Sequence, residues 1–345
     1  MSEHPTEPAP AVDAETHALQ QRHRASQLAQ AVRHELQKAL IGQDAVIDDV
    51  LTALIAGGHV LLEGVPGLGK TLLVRALARC FGGDFARIQF TPDLMPSDVT
   101  GHAVYDLQTE QFKLRKGPLF TNLLLADEIN RAPAKTQAAL LEAMQERQVT
   151  LEGRALPIAQ PFMVLATQNP IEQEGTYPLP EAQMDRFLMK VLLDYPSAEN
   201  ESQVLRLLRN EEQQHAAAAT TAGFTLAQDV IFAARREVSA VQVAPAIDRY
   251  LIDLINATRH PGDYDADLAR WINIGASPRG GIGLDRCARA DAWLRGQDFV
   301  TPENVQAVVH PVLRHRLQLS YDAVADGVSA DQVLDRLLDT VAIAA

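Results

Sequence analysis

The chain is short of cysteine, of positive charge and of long apolar runs, and each shortage excludes a class of protein. Among 345 residues only Cys80 and Cys287 are cysteines, too few for a disulfide framework or a zinc cluster, so a cytoplasmic location is expected. Uncharged stretches such as Val50–Leu62, which contains Gly57 and Gly58, are too short and too broken to cross a bilayer. We therefore expect no membrane insertion.

The formal net charge is −13, which bears on nucleic-acid binding. Because neutralisation of phosphates by basic side chains dominates such binding, an acidic chain argues against a constitutive nucleic-acid binder. A local basic channel on an acidic protein would still be compatible with it. The chain also opens without a basic segment followed by an apolar run, so no secretion signal is expected.

The most informative segment that is present is the octet Gly64–Thr71, which fits the phosphate-binding loop pattern G-x-x-x-x-G-K-[ST]. Glycines let backbone N–H groups face phosphate oxygens, and the following helix adds its positive end. Lys70 supplies charge to the β- and γ-phosphates, and the Thr71 hydroxyl is suited to ligate Mg²⁺. An apolar strand, His59–Glu63, precedes the loop and a helix follows it, which is the setting that the motif requires. The octet predicts a site for ATP and Mg²⁺.

A second apolar strand, Leu123–Ala126, ends in two acids, Asp127 and Glu128. Parallel strands deliver their C-terminal residues to the crevice where ligands bind. Asp127 is predicted to complete the metal shell, and Glu128 to orient and deprotonate the attacking water. The competing interpretation makes both residues helix-capping acids.

Four further residues are candidates for contact with the γ-phosphate. Asn169 follows the next apolar strand, although Asn169-Pro170 would also simply start a turn. Arg131, Arg186 and Arg279 compete for the role of a charge-neutralising finger, which adds about 10³–10⁵ to turnover in related enzymes. Each of the three would otherwise be a surface arginine paired with a neighbouring acid.

The pattern along the chain predicts a disordered tail at 1–25, an α/β domain at 26–195 and a helical domain at 196–345 with a flexible break at 216–223. In the second region strands alternate with helices. Apolar strands without polar alternation are buried on both faces, which indicates a parallel sheet between helices. Two β-hairpins are predicted to interrupt this rhythm, one over 102–115 and one over 149–158.

The order of these motifs resembles that of the AAA+ ATPases, which combine an α/β P-loop core, here with β-hairpin insertions, with a smaller all-α lid. Several stretches also look like signatures of the MoxR family: Glu128–Pro133, Thr136–Glu146, Ala166–Pro170, Gly175–Phe187 and Gly275–Arg279. The resemblance implies an entry box at Ile41-Gly42-Gln43, and nucleotide contacts from Ile41, Gly42, Gly64, Pro66, Gly67, Leu68, Gly69, Lys70, Thr71 and Leu72. It assigns the metal to Thr71 and Asp127, and catalysis to Glu128, Asn169, Arg186 and Arg279.

The resemblance further implies a homo-oligomer, a hexameric ring with ATP between subunits. Arg186 would then act on the neighbour's nucleotide, and Arg279 from the lid of its own subunit. The chain departs from the family at Gly280-Gly281, because two glycines at a helix start lower helix propensity by about 1 kcal/mol each.

MoxR-like proteins act as chaperones, so the resemblance implies remodelling, maturation or cofactor insertion of client protein complexes with a von Willebrand factor A-type partner. One alternative is a DNA-directed motor that tracks phosphates with Lys113, Arg115 and Lys116, although these also suit a charged strand edge. The other alternative is a nucleotide-gated scaffold with a slow ATPase.

Overall fold

The computed structural model describes residues 27, 29–65, 67–170, 175–215 and 228–343. The predicted tail at 1–25, Pro66 and the predicted break at 216–223 lie outside this part of the chain. The predicted boundary at 195/196 falls in the segment between the last strand of the main sheet, which ends at Leu192, and the helix that begins at Ala198. That boundary stays a prediction.

The first half of the chain is built on a five-stranded parallel sheet. Its strands are β1 (Val60–Glu63), β2 (Phe85–Gln89), β5 (Leu123–Asp127), β8 (Met163–Gln168) and β9 (Met189–Leu192), in the order β2-β5-β8-β1-β9. All five residues of β5 are buried, as are the first five of β8, because both strands lie inside the sheet with helices on each face. The edge strand β2 is more exposed. The predicted parallel sheet is confirmed.

Six helices accompany the sheet: α1 (29–39), α2 (Asp44–Ala56), α3 (Lys70–Phe81), α4 (Pro96–Thr100), α5 (Ala134–Glu146) and α6 (Glu181–Met184). Helix α2 ends where the sequence predicts, because Gly57 adopts a left-handed conformation at φ 75°. The N–H groups of Gly57 and Gly58 then donate to the carbonyls of Leu54 and Ala53. This stop turns the chain directly into β1.

Both predicted hairpins are present. The first pairs β3 (Gly101–Asp106) with β4 (Gln111–Lys116), and the second pairs β6 (Gln148–Leu151) with β7 (Arg154–Pro157). The second hairpin turns through Glu152 and Gly153, both with positive φ, as two-residue hairpin turns require. The first hairpin exposes a side chain at every position of β4, so it projects away from the core.

The second half is a helical lid. Its helices are α7 (Ala198–His215), α8 (Gln228–Ala240), α9 (Pro245–Arg259), α10 (Ala266–Trp271), α11 (Pro278–Leu294), α12 (Pro302–Leu313), α13 (Tyr321–Ala325) and α14 (Ala330–Thr340). One short antiparallel pair, β10 (Ile272–Ile274) with β11 (Gln318–Leu319), joins them. Strands of three and two residues are too short to leave a periodic signal in the sequence. Helix α11 packs against α2, so lid and sheet region share one apolar core.

Among the helices of the described ranges, none combines the length and the apolar character needed to traverse a lipid bilayer.

Candidate functional site

The carboxyl ends of three central strands meet at one cleft. Strand β1 leads into the phosphate loop, β5 ends at Asp127, and β8 runs into Asn169, which is 4% exposed. The residues that line the cleft are Gly67, Gly69, Lys70, Thr71, Leu72, Arg75, Arg87, Gln89, Asp127, Glu128, Thr167 and Asn169. The structure thus brings together the loop, the acid pair and Asn169, which the sequence analysis assigned to one site.

The glycines of the loop have different tasks. Gly67 and Gly69 lie at φ 87° and 82°, a region that side chains disfavour. Gly64 instead allows close packing, because an added Cβ would lie 2.7 Å from the Leu193 carbonyl oxygen. The Lys70 Nζ donates to the carbonyl oxygens of Gly64 at 2.5 Å and of Gln168 at 3.3 Å. The ammonium is therefore held at the mouth of the loop.

The three residues assigned to the entry box, Ile41, Gly42 and Gln43, are not part of the described lining of this cleft. Gly42, at φ 77°, faces Asn200, whose side chain an added Cβ would overlap. The next residue, Gln43, donates its Nε2 to the Asp194 carbonyl oxygen at 2.7 Å. Gly42 and Gln43 thus lie against the segment that leads into the lid and the first lid helix.

A threonine and an arginine that the sequence analysis missed hold the acid pair. The Thr167 hydroxyl donates to Asp127 Oδ1 at 2.6 Å and accepts from the Glu128 N–H at 2.8 Å. The Arg87 Nη2 lies 2.7 Å from Asp127 Oδ2. Arg87 and Gln89 are two residues apart on β2 and project from the same side of the strand, a spacing that would have been a signal.

Glu128 lies in a left-handed conformation at φ 55°, which costs about 1–2 kcal/mol for a residue with a side chain. Its Oε2 accepts from Gln89 Nε2 at 2.8 Å and from Arg131 Nη1 at 3.2 Å. Arg131 is therefore a partner of the Glu128 carboxylate within the same subunit. The following turn is fixed by Gln137, fully buried, whose Nε2 donates to the Ile129 and Ala132 carbonyls.

Arg186 and Arg279 lie in a second cleft, at the opposite end of β1. Its lining is Gly57, Gly58, His59, Met144, Gln145, Arg147, Asp185, Arg186, Leu188, Arg279, Ile282, Gly283, Arg286 and Arg316. Arg279 Nη1 lies 3.6 Å from Asp185 Oδ2. The structure therefore places Arg279 in this cleft and not among the lining of the first, because the start of α11 is bound to the segment around Asp185; its role on the nucleotide of its own subunit stays a prediction.

The second cleft is rich in positive charge. Arginines 147, 186, 279, 286 and 316 line it, and among its described lining residues Asp185 is the one carboxylate. The buried Nε of Arg186 has no hydrogen-bond partner within the described part of the chain. This charge balance suits an anionic ligand.

His59 anchors the start of β1 at this end. Its Nδ1 accepts from the Val164 N–H at 2.9 Å, so the Nε2 carries the proton and donates to the Met144 carbonyl at 3.2 Å. Burial lowers the pKa of His59 to about 4, which keeps the imidazole neutral. Its role here is structural.

The donors of the first cleft fit a nucleoside triphosphate with Mg²⁺. The Thr71 hydroxyl and the Asp127 carboxylate are oxygen ligands of the kind that Mg²⁺ prefers. Lys70 and Arg75 supply positive charge, and the loop opens onto the first turn of α3. In the second cleft, the described lining contains one carboxylate among several cations, so its donor set does not suit a metal.

Comparisons with known proteins agree with this geometry. Residues 59–189 match the sequence model of the ATPase family associated with various cellular activities (AAA), and residues 267–337 match that of the AAA lid domain. Chaperone MoxR1 of Mycobacterium tuberculosis is 47% identical over 310 residues, covering 90% of this chain and 80% of that protein. Protein MoxR of Paracoccus denitrificans is 36% identical over 299 residues, covering 83% and 87% of the two chains.

A solved structure shows the same architecture over nearly the whole chain. The crystal structure of a candidate ATPase from Cytophaga hutchinsonii superposes with a TM-score of 0.86 at 42% identity, covering 96% of this chain and 99% of that one. Sequence relatives, family models and fold thus agree with each other. The chain belongs to the MoxR family of AAA+ ATPases.

Proposed function

We propose that the protein hydrolyses ATP in a homo-oligomeric ring, expected to be hexameric, in the cytoplasm. The observation that carries this proposal is the separation of two half-sites in one subunit. The phosphate loop and acid pair lie at the carboxyl end of β1, and the arginine cleft lies at its amino end. Four residues of strand span roughly 13 Å, so the finger of one subunit is remote from its own phosphates. A second subunit completes the site.

In this mechanism Thr71 and Asp127 would hold Mg²⁺, which would neutralise charge on the phosphates. Lys70 exchanges its two carbonyl partners for phosphate oxygens. Glu128 leaves Gln89 and Arg131 to orient the attacking water and accept its proton.

Two subunits then share the remaining roles. Asn169 lies beside the reacting phosphate in the same subunit as Glu128. Arg186 and Arg279 come from the neighbour, as the second cleft contains both. This differs from the sequence-based expectation for Arg279 alone.

A subunit-mixing experiment tests the shared site. Lys70→Ala removes the phosphate contact and Arg186→Ala the finger, so each homo-oligomer should be inactive. Mixed rings contain some intact sites and should recover activity, and a mixture of Lys70→Ala with Arg279→Ala should do the same. Tagged subunits establish that mixed rings form. If the mixed rings stay inactive, both fingers act within their own subunit.

We further propose that the hydrolysis cycle remodels or matures client protein complexes, including cofactor insertion, together with a von Willebrand factor A-type partner. The similarity to Chaperone MoxR1 of Mycobacterium tuberculosis supports this function. The first hairpin offers a contact surface, since Tyr105, Leu107 and Phe112 are 47%, 84% and 75% exposed.

Capture with a stalled variant tests the chaperone proposal. Glu128→Gln should bind ATP without turnover and should retain clients and partners in the presence of ATP. A hairpin variant, Phe112→Ser in the Glu128→Gln background, should retain less. Enrichment of nucleic acid with ATP would instead favour the DNA motor, against which the ion pair of Lys113 with Asp106 argues.

A further inference from the structure

Asp185, the residue before the proposed finger Arg186, is bound by three side chains of the lid. The Asp185 Oδ1 lies 2.8 Å from Arg316 Nε, and the Oδ2 accepts from the Ser277 hydroxyl at 3.0 Å. The Oδ2 also lies 3.6 Å from Arg279 Nη1. These partners come from the beginning of α11 and from the segment after α12, so two parts of the lid meet on one carboxylate.

Arg316 also holds the backbone on either side of Arg186. Its side chain is 3% exposed and donates to the carbonyls of Phe187 at 2.7 Å, Leu188 at 3.0 Å and Asp185 at 3.3 Å. It donates to the Val312 carbonyl as well, so every N–H direction of the guanidinium is used. The adjacent His315 bonds the Phe187 carbonyl at 3.0 Å.

The stem of Arg316 has little freedom to adopt another position. A Cβ added at Gly280 would lie 3.3 Å from Arg316 Cδ and 3.2 Å from a methyl of Leu313, closer than ordinary packing. A buried guanidinium that left its acceptors would become an unpaired charge without hydration, which is strongly unfavourable; burial already lowers the pKa of Arg316. The segment carrying Arg186 is therefore tied to the lid, and the two have to move together.

We propose that Asp185 and Arg316 are positioning residues that couple the position of the helical lid to the aim of Arg186. A lid movement in one subunit then changes the arginine offered to the nucleotide of the next subunit. This inference rests on the proposed function, because it requires Arg186 to act on a neighbour's nucleotide. The same contacts would also stabilise the fold, so a test has to separate the two roles.

A double-mutant cycle separates them. Asp185→Asn keeps the shape of the side chain but removes its charge, which loosens the bonds to Arg316 and Ser277. We expect kcat for ATP to fall by about 10- to 100-fold, as small misplacements of a catalytic group do, with KM changed by less than about twofold. In the Arg186→Ala background the same substitution should have no further effect on the residual single-turnover rate.

Asp291→Asn is the matched control. Asp291 is a buried aspartate of α11, bound by Arg295 at 2.8 Å and by Asn304 at 2.9 Å, but it is not among the residues of either cleft. It should lower the melting temperature much as Asp185→Asn does and leave kcat unchanged. Should Asp185→Asn fold poorly, Ser277→Ala removes one of the three bonds, with Ser329→Ala, another helix-capping serine, as its control.

Two outcomes overturn the coupling. If Asp185→Asn lowered the rate of ATP hydrolysis by the same factor in the wild-type and Arg186→Ala backgrounds, Asp185 would act independently of Arg186. Loss of melting temperature with unchanged kcat, in both the aspartate and the serine variant, would make its role structural only. Failure of the proposed function has a different signature, because Arg186→Ala alone would then leave ATP turnover intact, or mixed rings of Lys70→Ala and Arg186→Ala would stay inactive.

Discussion

Replacing Thr167 by valine tests whether one hydroxyl organises the acid pair. The residue is 1% exposed, and valine has nearly the same shape, so packing is conserved. The substitution removes a hydrogen bond to the Asp127 carboxylate and leaves the Glu128 N–H without its acceptor. A bond to a charged group contributes about 1.5–3 kcal/mol and an unpaired buried N–H costs about 1–3 kcal/mol. Arg87 still binds Asp127, so we expect a loss of about 2–4 kcal/mol in unfolding free energy.

Activity should fall further than stability explains. Both the metal-binding carboxylate and the strained backbone of Glu128 depend on this hydroxyl, so we expect kcat for ATP to fall at least about tenfold, since the catalytic carboxylate loses its fixed aim. Urea denaturation gives the stability, and phosphate release per folded subunit gives the rate. In a magnesium titration of ATP binding, the variant should require more Mg²⁺ than wild type, because Asp127 has lost the bond that holds it.

Thr136→Val is the matched control in the same region. Thr136 is also 1% exposed, and its hydroxyl donates to the neutral Leu94 carbonyl at 2.7 Å. It should lose about 1 kcal/mol of stability with unchanged kcat. Equal stability losses in the two variants, with kcat of Thr167→Val within twofold of wild type, would refute the reasoning.

Three further changes have defined outcomes. Gln89→Leu frees one oxygen of Glu128 from a surface hydrogen bond of about 1 kcal/mol, so basal phosphate release should rise about threefold to fivefold; an unchanged or slower rate contradicts this. Because the pKa of His59 is lowered from 6.5 to about 4 in the folded protein, its neutral ring contributes fully to the unfolding free energy above pH 6.5. That contribution is lost as the pH falls towards 4. Unfolding free energy should drop by about 3 kcal/mol over that range, and in His59→Asn this slope should flatten. Gly281→Ala should raise the unfolding free energy by about 0.5–1 kcal/mol, and with it the melting temperature, because the added Cβ makes an ordinary contact with Ile255 at 3.5 Å. Gly280→Ala should give no gain, because the nearest atoms to its Cβ lie closer, at 3.2–3.3 Å.

Local sequence signals account for the parts of the fold and site that were predicted. The residues of the phosphate-binding loop are the eight consecutive positions Gly64–Thr71, so the motif is visible in the sequence. Apolar runs such as Leu123–Ala126 predict buried strands. Turn residues such as Gly153 give the hairpins in the same way. Each of these signals acts over a few residues, so a single sequence is enough to reveal it.

The unpredicted parts depend on contacts between distant positions. Thr167 meets Asp127 across two neighbouring strands, and Arg87 reaches the same carboxylate from a third. The placement of Arg279 follows from the way the lid docks on Asp185, which is 92 residues from Ser277 and 131 from Arg316. Motif order gives the sequence of functional residues along the chain, but it does not say which end of a strand the lid covers.

The left-handed backbone of Glu128 implies a conflict between selection for durability and selection for turnover. Glycine would adopt that conformation without the penalty of about 1–2 kcal/mol, yet it has no carboxylate. Random mutagenesis scored by thermal tolerance alone should therefore favour Glu128→Gly over wild type and drift towards inactive proteins. Retention of glutamate at this position in such a library would instead show that its side-chain bonds to Gln89 and Arg131 outweigh the backbone penalty.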